Sequence, residues 1–251
     1  MTKETLFEAL NELDDAHIAQ AEASPSKKRR WRAWAGLAAC LVLVAGVLLW
    51  RSVGPGGGVT AEQLPLSDAS QGVTVRYGSP IFSTSTSTDL AYLTEEELFT
   101  EFDTAIFWGT VTQIDNIVLD FNGSQNYRAL AQIQVEKSYR GPWQAGDTVT
   151  VLLPGPVIDG VWVEDTEVIS QLAVGTRGIF MPMVYDETSV REENGATLAL
   201  RDIADGGLPD GERYAFLETA DGLTFARWAY PSIQDADSLE DIEDYILRMI
   251  A

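Results

Sequence analysis

Cysteine and histidine are almost missing from this 251-residue chain, which contains only Cys40 and His17. A single cysteine cannot form a disulfide within the chain, whatever the redox state of its compartment. Residues 41–251 contain neither residue type. Cys/His metal sites, Ser-His-Asp triads and thiol nucleophiles are therefore excluded from that part. Lysine is also scarce, because Lys137 is the only lysine after Lys28, so carboxylates are the abundant acid–base groups.

Residues 33–50, AWAGLAACLVLVAGVLLW, form a run of 18 residues without a charge. In a helix such a run spans about 27 Å, close to the thickness of the hydrocarbon core of a bilayer. It predicts a transmembrane helix rather than the alternative, a buried core helix. The side chains expected to anchor it are Trp34, Leu37, Leu41, Val44, Val47 and Trp50. Leu37-Ala38-Ala39-Cys40 matches a bacterial lipoprotein signal, but ten apolar residues follow Cys40, so we interpret it as part of the helix.

Basic residues ahead of this run predict its direction. They are Lys27, Lys28, Arg29, Arg30 and Arg32. Because such residues stay on the cytoplasmic side, we expect the N-terminus inside. The predicted organisation is a cytosolic amphipathic leader at 1–32, the transmembrane helix at 33–50, a flexible linker at 51–90 and an extracytoplasmic domain at 91–251. The linker prediction rests on its Gly-rich and Ser/Thr-rich stretches, with Val73-Thr74-Val75 as an extended piece that docks on the domain.

The net charge of −21 lies entirely beyond the leader, because residues 1–32 carry six basic and six acidic residues. Such an acidic surface repels nucleic acid and anionic lipid headgroups, so we expect no nucleic-acid partner. It favours solubility, or a cationic or basic partner.

The leader itself has an amphipathic pattern. Leu6, Leu10, Leu13 and Ile18 recur near helical spacing. An isolated helix of this length is marginal in water. Two interpretations stay open: a partly frayed helix near the membrane, or a helix that binds a cytosolic protein.

The apolar pattern becomes two-fold after residue 105. Ala129, Ala131, Ile133 and Val135 alternate with polar residues, which predicts a strand with one buried face. Strands are predicted at 105–114, 127–137, 149–153, 161–169, 178–185, 196–202, 212–219 and 223–229. Hairpin turns are predicted at Asn122-Gly123, Asn194-Gly195 and Asp221-Gly222. Short strands with regular turns are typical of an antiparallel barrel or sandwich.

Two helices are predicted to flank these strands. The first follows Thr94 and has acidic residues in its first turn, which the helix dipole favours. The second begins at Ser238, with Asp241 completing a capping box. Its apolar face consists of Leu239, Ile242, Ile246 and Met249. The predicted fold class is mainly β with flanking helices, preceded by a single transmembrane helix.

The leader pattern LFEALNELDDAHIAQAE, the Lys/Arg cluster and WAGLAACLVLV resemble the first 50 residues of many single-pass membrane proteins of Firmicutes. Some of those proteins are anti-sigma-like regulators. The resemblance implies a bacterial cytoplasmic membrane and a cytosolic protein partner. The zinc motif of the zinc-containing anti-sigma class is missing, because the leader has His17 and no cysteine.

Residues 105–183 resemble a recurrent pattern of secreted bacterial domains, with strands such as VEKSYRG, GDTVTV and LAVGTRGIF. That pattern is similar to the small barrel of OB-like, netrin/TIMP-like domains. It implies an antiparallel OB-like barrel or sandwich and carries no catalytic signature. Netrin-type domains are usually disulfide-linked, whereas this domain has no cysteine.

Carboxylates near aromatic side chains are the only candidate catalytic equipment. Asp159, Glu164, Asp165 and Glu167 surround Trp162, with Trp143 upstream. Paired carboxylates with aromatic platforms are typical of glycosidase clefts, although an acidic chain also clusters carboxylates by chance.

Other motifs for ligand chemistry are weaker. Tyr185-Asp186-Glu187 and Glu192-Glu193-Asn194 offer oxygen ligands for calcium, but no EF-hand loop is present, and solvated loop charge explains them better. We therefore expect no cofactor, no metal and no catalysis. The favoured function is extracytoplasmic binding of an unidentified ligand, with an anti-sigma-like regulator and a carboxylate hydrolase as alternatives.

Overall fold

The computed structural model of the chain describes residues 62–79, 90–158 and 165–251. In chain order their strands are β1 (Val73–Tyr77), β2 (Ile106–Phe121), β3 (Ser124–Arg140), β4 (Thr148–Leu153), β5 (Arg177–Phe180), β6 (Met183–Val184), β7 (Val190–Glu193), β8 (Ala196–Ala199), β9 (Gly206–Gly207), β10 (Ala215–Thr219) and β11 (Gly222–Thr224). The α-helices are α1 (Glu95–Thr100) and α2 (Leu239–Met249). The prediction of a mainly β fold is confirmed.

A long hairpin of β2 and β3 forms the centre of the sheet. The two strands pair antiparallel from Ile106 with Arg140 to Phe121 with Ser124. Asn122 and Gly123 connect them with φ values of 49° and 94°, the positive values that tight hairpin turns require. The hairpin predicted at this turn is therefore confirmed, and both strands are longer than predicted.

The sheet curls until its hydrogen bonding returns to the strand from which it starts. From β2 the strand order runs through β3, β4 and β9 to β6. Met183 of β6 then bridges Thr104, directly ahead of β2. This bridge continues the register that pairs Phe180 of β5 with Phe107 of β2. Strands β5 and β6 thus act as one bent strand that joins the two ends of the curl.

One strand pair departs from the predicted antiparallel arrangement. Strands β4 and β9 are parallel, with Val151 opposite Gly206 and Leu152 opposite Gly207. Strands β10 and β11 extend the sheet antiparallel from the other side of β5. Strand β9 escapes sequence prediction because two glycines have no side chains and so produce no apolar alternation.

The alternating residues of β3 divide the hydrophobic core into two clusters, one on each face of the sheet. Ala129, Ala131, Ile133 and Val135 belong to the larger cluster, as their alternation predicts. Leu130 points to the opposite face and belongs to the smaller cluster. We call these the main core and the outer core. The outer core is covered by the hairpin of β7 and β8 and also receives Val75 of β1.

Strand β1 lies inside the range predicted as a flexible linker. It pairs with the far end of β2, from Val73 opposite Phe121 to Tyr77 opposite Ile117. The Leu64 N–H also donates to the Val75 carbonyl at 2.9 Å. Strand β1 therefore belongs to the sheet, and Val75 supplies a buried apolar side chain to the outer core. The docking expected for Val73-Thr74-Val75 is confirmed.

Both helices lie where the sequence predicts them, and the capping box predicted for the second is confirmed. Thr94 and Glu97 form a capping box at α1, and Ser238 and Asp241 form another at α2. Helix α2 buries Leu239, Ile242 and Ile246, as predicted, and adds Tyr245. It packs against β5 and β10 and closes one side of the main core.

Several predicted strands are wrong in part. Of the strand predicted at 161–169, residues 165–169 instead form turns and the start of a 3₁₀ helix, Ile169–Gln171. The strand predicted at 196–202 ends at Ala199, and the one predicted at 223–229 ends at Thr224. The apolar residues that suggested longer strands are still buried. Ile169 and Ala229, for example, are buried as parts of short 3₁₀ helices. Strand β7 was not predicted, because its residues Val-Arg-Glu-Glu show little alternation.

The predicted transmembrane helix at 33–50 lies outside the described residues, as do the leader at 1–32 and most of the linker. Within the part that the structure describes, no helix has both the length and the apolar character needed to cross a bilayer.

Candidate functional site

A groove with a volume of about 490 Å³ opens beside the main core. Its lining residues are Asp165, Glu167, Val168, Gln171, Glu212, Thr224, Phe225, Ala226 and Trp228. The lining therefore includes an acidic wall of Asp165, Glu167 and Glu212 and an aromatic, apolar wall of Phe225, Ala226 and Trp228. None of the described residues that line it is a lysine or an arginine.

Two chain segments are held together to form the acidic wall. The Ile169 N–H donates to the Gly211 carbonyl at 3.1 Å, and the Glu167 N–H donates to Glu212 Oε1. Gly211 permits this approach, because a Cβ there would lie 2.6 Å from the Asp165 carbonyl oxygen and 2.8 Å from Thr166 Cα. A side chain at Gly211 would therefore push the two segments apart.

Glu212 is the buried carboxyl group of the groove, with only 6% of its surface exposed. Burial is the main cause that raises its pKa to about 8. A side-chain hydrogen bond with Glu167 and the charges of Glu167 and Asp210 also contribute to this rise, while the hydrogen bond from the Glu167 N–H acts to lower the pKa. At neutral pH Glu212 is therefore largely protonated, whereas Glu167 is an exposed neighbour on the same wall.

A buried ion pair supports Glu212 from behind. Arg213 Nε donates to Asp210 Oδ2 at 2.8 Å, and the two residues are 4% and 7% exposed. Asp210 Oδ1 also accepts the backbone N–H groups of Glu212 and Arg213, at 2.9 and 2.8 Å. Arg213 Nη1 donates to the Ala91 carbonyl at 2.7 Å. The ion pair is thus well satisfied, and it fixes the loop that carries Glu212.

The aromatic wall presents Trp228, which is 58% exposed and so available to a ligand. Phe225 is buried in the main core and packs against Phe216, with ring centroids 5.5 Å apart. Thr224 Oγ1 donates to Gln171 Oε1 at 3.3 Å and connects this wall to the acidic one. The groove therefore combines carboxylates with an exposed indole face.

The structure describes only part of the carboxylate cluster that the sequence predicts around Trp162. Asp159, Trp162 and Glu164 lie outside the described residues. Asp165 and Glu167 do line the groove, as a carboxylate cluster requires. Trp143 does not, because its ring packs edge-on against Phe107, with centroids 5.6 Å apart.

Glu212 and Trp228 were missed by sequence reasoning. Both lie within segments predicted as ordinary strands, 212–219 and 223–229. Glu212 is 45 residues from Glu167, so spacing along the chain gives no signal of their contact. The sequence does contain one signal, the charged segment Asp-Gly-Glu-Arg at 210–213. Charged side chains next to a buried strand need hydrogen-bond or ion-pair partners within the protein.

The two oxygen-rich segments considered for calcium have local structural roles. Asp186 accepts hydrogen bonds from the Thr188 N–H and the Ser189 hydroxyl, at 2.8 and 3.0 Å. Glu193 accepts from Ser124 and Asn126 across the outer core. Across residues 62–79, 90–158 and 165–251, no group of three or more His, Cys, Asp or Glu residues is arranged to hold a metal ion.

Comparison with protein-family models, with curated proteins and with solved structures gives no match for this chain.

Proposed function

We propose that the β domain is a non-enzymatic extracytoplasmic binding module whose groove binds a basic segment of a protein partner. The observation that carries this proposal is the lining of the groove. Asp165 and Glu167 supply the carboxylates of its lining beside the largely protonated Glu212, and Trp228 adds a well-exposed indole. An electrostatic potential of one sign in a cleft concentrates ligands of the opposite sign.

The aromatic wall favours a peptide over an inorganic cation. Lysine and arginine side chains bind indole faces through cation–π contact, worth about 0.5–2 kcal/mol. Their aliphatic stems also pack well on exposed apolar surface, which Trp228 contributes to the lining of the groove. The net charge of −21 further favours a basic partner over an acidic one.

The membrane location and the barrel type belong to the same proposal. The uncharged run at 33–50 and the basic residues before it support a single-pass protein with its C-terminal domain outside the bacterial cytoplasmic membrane. The return of the β2–β3–β4–β9–β6 pairing to Thr104 supports an OB-like barrel. A cytosolic partner of the leader rests on the amphipathic pattern of residues 1–32 alone.

Peptide affinity of the full-length chain tests this function. The probe is a short amidated peptide with lysines flanking a leucine, and the matched peptide carries glutamates instead. We expect the basic peptide alone to bind, with an affinity that falls as salt is added. Glu167→Gln and Trp228→Ala should each weaken the affinity for the basic peptide by about three- to tenfold. The first removes a charge of the acidic wall, and the second removes the indole of the aromatic wall. Isothermal titration calorimetry measures these changes.

Glu192→Gln is the matched control, because Glu192 is an exposed carboxylate on β7, outside the groove. It should bind the basic peptide as the wild type does. Equal binding of both peptides, or an equal loss in Glu192→Gln and Glu167→Gln, would contradict a groove specific for basic segments.

Hydrolysis is the second candidate, and the contact between Glu167 and Glu212 favours it. A carboxyl group with a pKa near 8 beside a second carboxylate can supply a general acid at neutral pH. Turnover of cell-wall glycan fragments by the full-length chain, lost in Glu212→Gln, would support this alternative. No turnover, together with peptide binding, would support the binding module.

A further inference from the structure

A cluster of charged residues, separate from the groove, lies on the outer-core face of the sheet. Arg191 Nη2 on β7 donates to Glu193 Oε2 at 2.6 Å and to Asn126 Oδ1 at 3.0 Å. Glu193 also accepts hydrogen bonds from Ser124 Oγ and Asn126 Nδ2, which help to lower its pKa to about 2. The charges of Arg191 and Glu193 therefore balance each other.

Arg128 lies beside this pair without an acidic partner of its own. It is on β3, on the same face as Leu130, and its Nη1 donates to the Tyr127 carbonyl at 2.8 Å. No carboxylate of the described residues lies within ion-pair distance of it. Burial, together with the like charge of Arg191, lowers its pKa to about 10, while the opposite charge of Glu193 acts to raise it. The guanidinium is therefore still charged at neutral pH, partly exposed, and able to donate more hydrogen bonds.

Tyr185 brings a third donor to the same place. Its hydroxyl lies directly against Gly207 of β9, where even a Cβ atom would overlap with it. Burial raises the pKa of Tyr185 to about 12, while the charges of Arg128 and Arg191 act in the opposite direction. Tyr185 packs against the outer core, on the face of β3 that carries Leu130 and Arg128 and that Arg191 contacts through Asn126, so its neutral hydroxyl lies on the same side of the sheet as both guanidiniums.

We propose that Arg128, with Arg191 and the Tyr185 hydroxyl, binds one carboxylate group of a ligand on the outer core. Two guanidiniums and one Glu193 carboxylate leave a single positive charge, which a monoanion neutralises. The planar guanidinium fork matches the two oxygens of a carboxylate, so a single anion forms parallel hydrogen bonds with it. This site is independent of the acidic groove and takes a ligand group of the opposite charge.

Arginine side-chain NMR of the full-length chain tests this site. The Nε–Hε signal of Arg128, assigned by its loss in Arg128→Gln, is followed while acetate is added at constant ionic strength. We expect a saturable shift with acetate and none with acetamide, which has the shape but not the charge. Arg128→Lys keeps the charge but loses the fork, and Tyr185→Phe removes one donor, so each should weaken acetate binding by about threefold or more.

Acetyl-alanine and acetyl-aspartate amide, added in the same way, distinguish a terminal carboxylate from a side-chain carboxylate, and saturation by either supports the site. Arg201→Gln is the matched control, because Arg201 is an exposed arginine outside this cluster. It should leave the acetate response unchanged. A shift that stays linear with every carboxylate, or saturates equally with acetamide, would overturn the proposal. Backbone spectra show whether each variant remains folded.

Discussion

The acidic groove and the arginine cluster of Arg128 and Arg191 each contain one extra ionisable group, a carboxyl group in the groove and a guanidinium in the cluster. Near the groove, Glu212 is a buried carboxyl group added to the balanced pair of Asp210 and Arg213. On the outer core, Arg128 is a mostly covered guanidinium added to the balanced pair of Arg191 and Glu193. In each place one extra ionisable group lies beside an ion pair that is already satisfied.

The difference lies in how each excess charge can be removed. A carboxyl group in low dielectric becomes neutral by taking up a proton, which is why the pKa of Glu212 rises to about 8. A guanidinium does not lose its proton near neutral pH, so Arg128 keeps its charge and needs an anion or water. The groove is therefore expected to respond to pH, and the arginine cluster to anions.

Removal of Asp210 should have the largest effect, because it leaves the buried Arg213 without its ion-pair partner. Asp210→Ala also leaves the backbone N–H groups of Glu212 and Arg213 without acceptors. We expect a loss of about 3–5 kcal/mol in the free energy of unfolding. Urea denaturation of the full-length chain measures it. Asp235→Ala, at an exposed position, is the control and should change stability little; equal effects of the two substitutions would contradict the supporting role of this pair.

The next effect concerns the pH dependence of stability. The pKa of Glu212 is raised in the folded state, so its protonated form stabilises the fold. This stabilisation is fully present below the unfolded pKa of about 4.3, and it is lost as pH rises through about 8. Glu212→Gln keeps a neutral side chain at every pH. Above pH 8 we expect this variant to be more stable than the wild type by on the order of 2 kcal/mol.

Urea denaturation at several pH values checks this difference. At acidic pH the stability of the variant and the wild type should converge. Glu192→Gln, at an exposed position, should follow the wild type throughout. A constant difference between Glu212→Gln and the wild type at all pH values would show that Glu212 does not titrate as described.

The smallest effect is expected at Arg128. Arg128→Met replaces a desolvated charge that has no carboxylate partner, so stability should be unchanged or higher by about 1 kcal/mol. Arg191→Met is the comparison, because it breaks the pair with Glu193 and should lower stability. Thermal unfolding distinguishes the two. A loss at Arg128 as large as that at Arg191 would mean that the two guanidiniums are equally well compensated.

The sheet could be predicted where side chains alternate along the chain. Ala129, Ala131, Ile133 and Val135 indicate the buried face of β3, and Asn122-Gly123 locates its turn. The capping box of α2 is equally predictable from Ser238 and Asp241, whereas for α1 only the acidic first turn indicates the start of the helix. Glycine strand β9 could not be predicted, because it is defined by its neighbours β4 and β6 and not by its own side chains.

The candidate site was less predictable than the fold. Asp165 and Glu167 are close in sequence, so a cluster of carboxylates was visible there. Their partner Glu212 joins them only because β10 and the preceding loop return to the same side of the main core. The excess charge at Arg128 could not be predicted for the same reason, because it depends on tertiary contacts. Arg191 of β7 contacts Asn126 of β3, although the two strands are far apart in the sequence.

The most direct test of the contrast between the two clusters is the titration of Glu212 itself. Carbon-13 NMR of labelled glutamate carboxyl groups, with Glu212→Gln for assignment, follows its protonation in the full-length chain. The Glu212 signal is predicted to titrate with a midpoint near pH 8. A midpoint near the ordinary value of about 4.3 would mean that the carboxylate stays charged in the groove and would contradict the account.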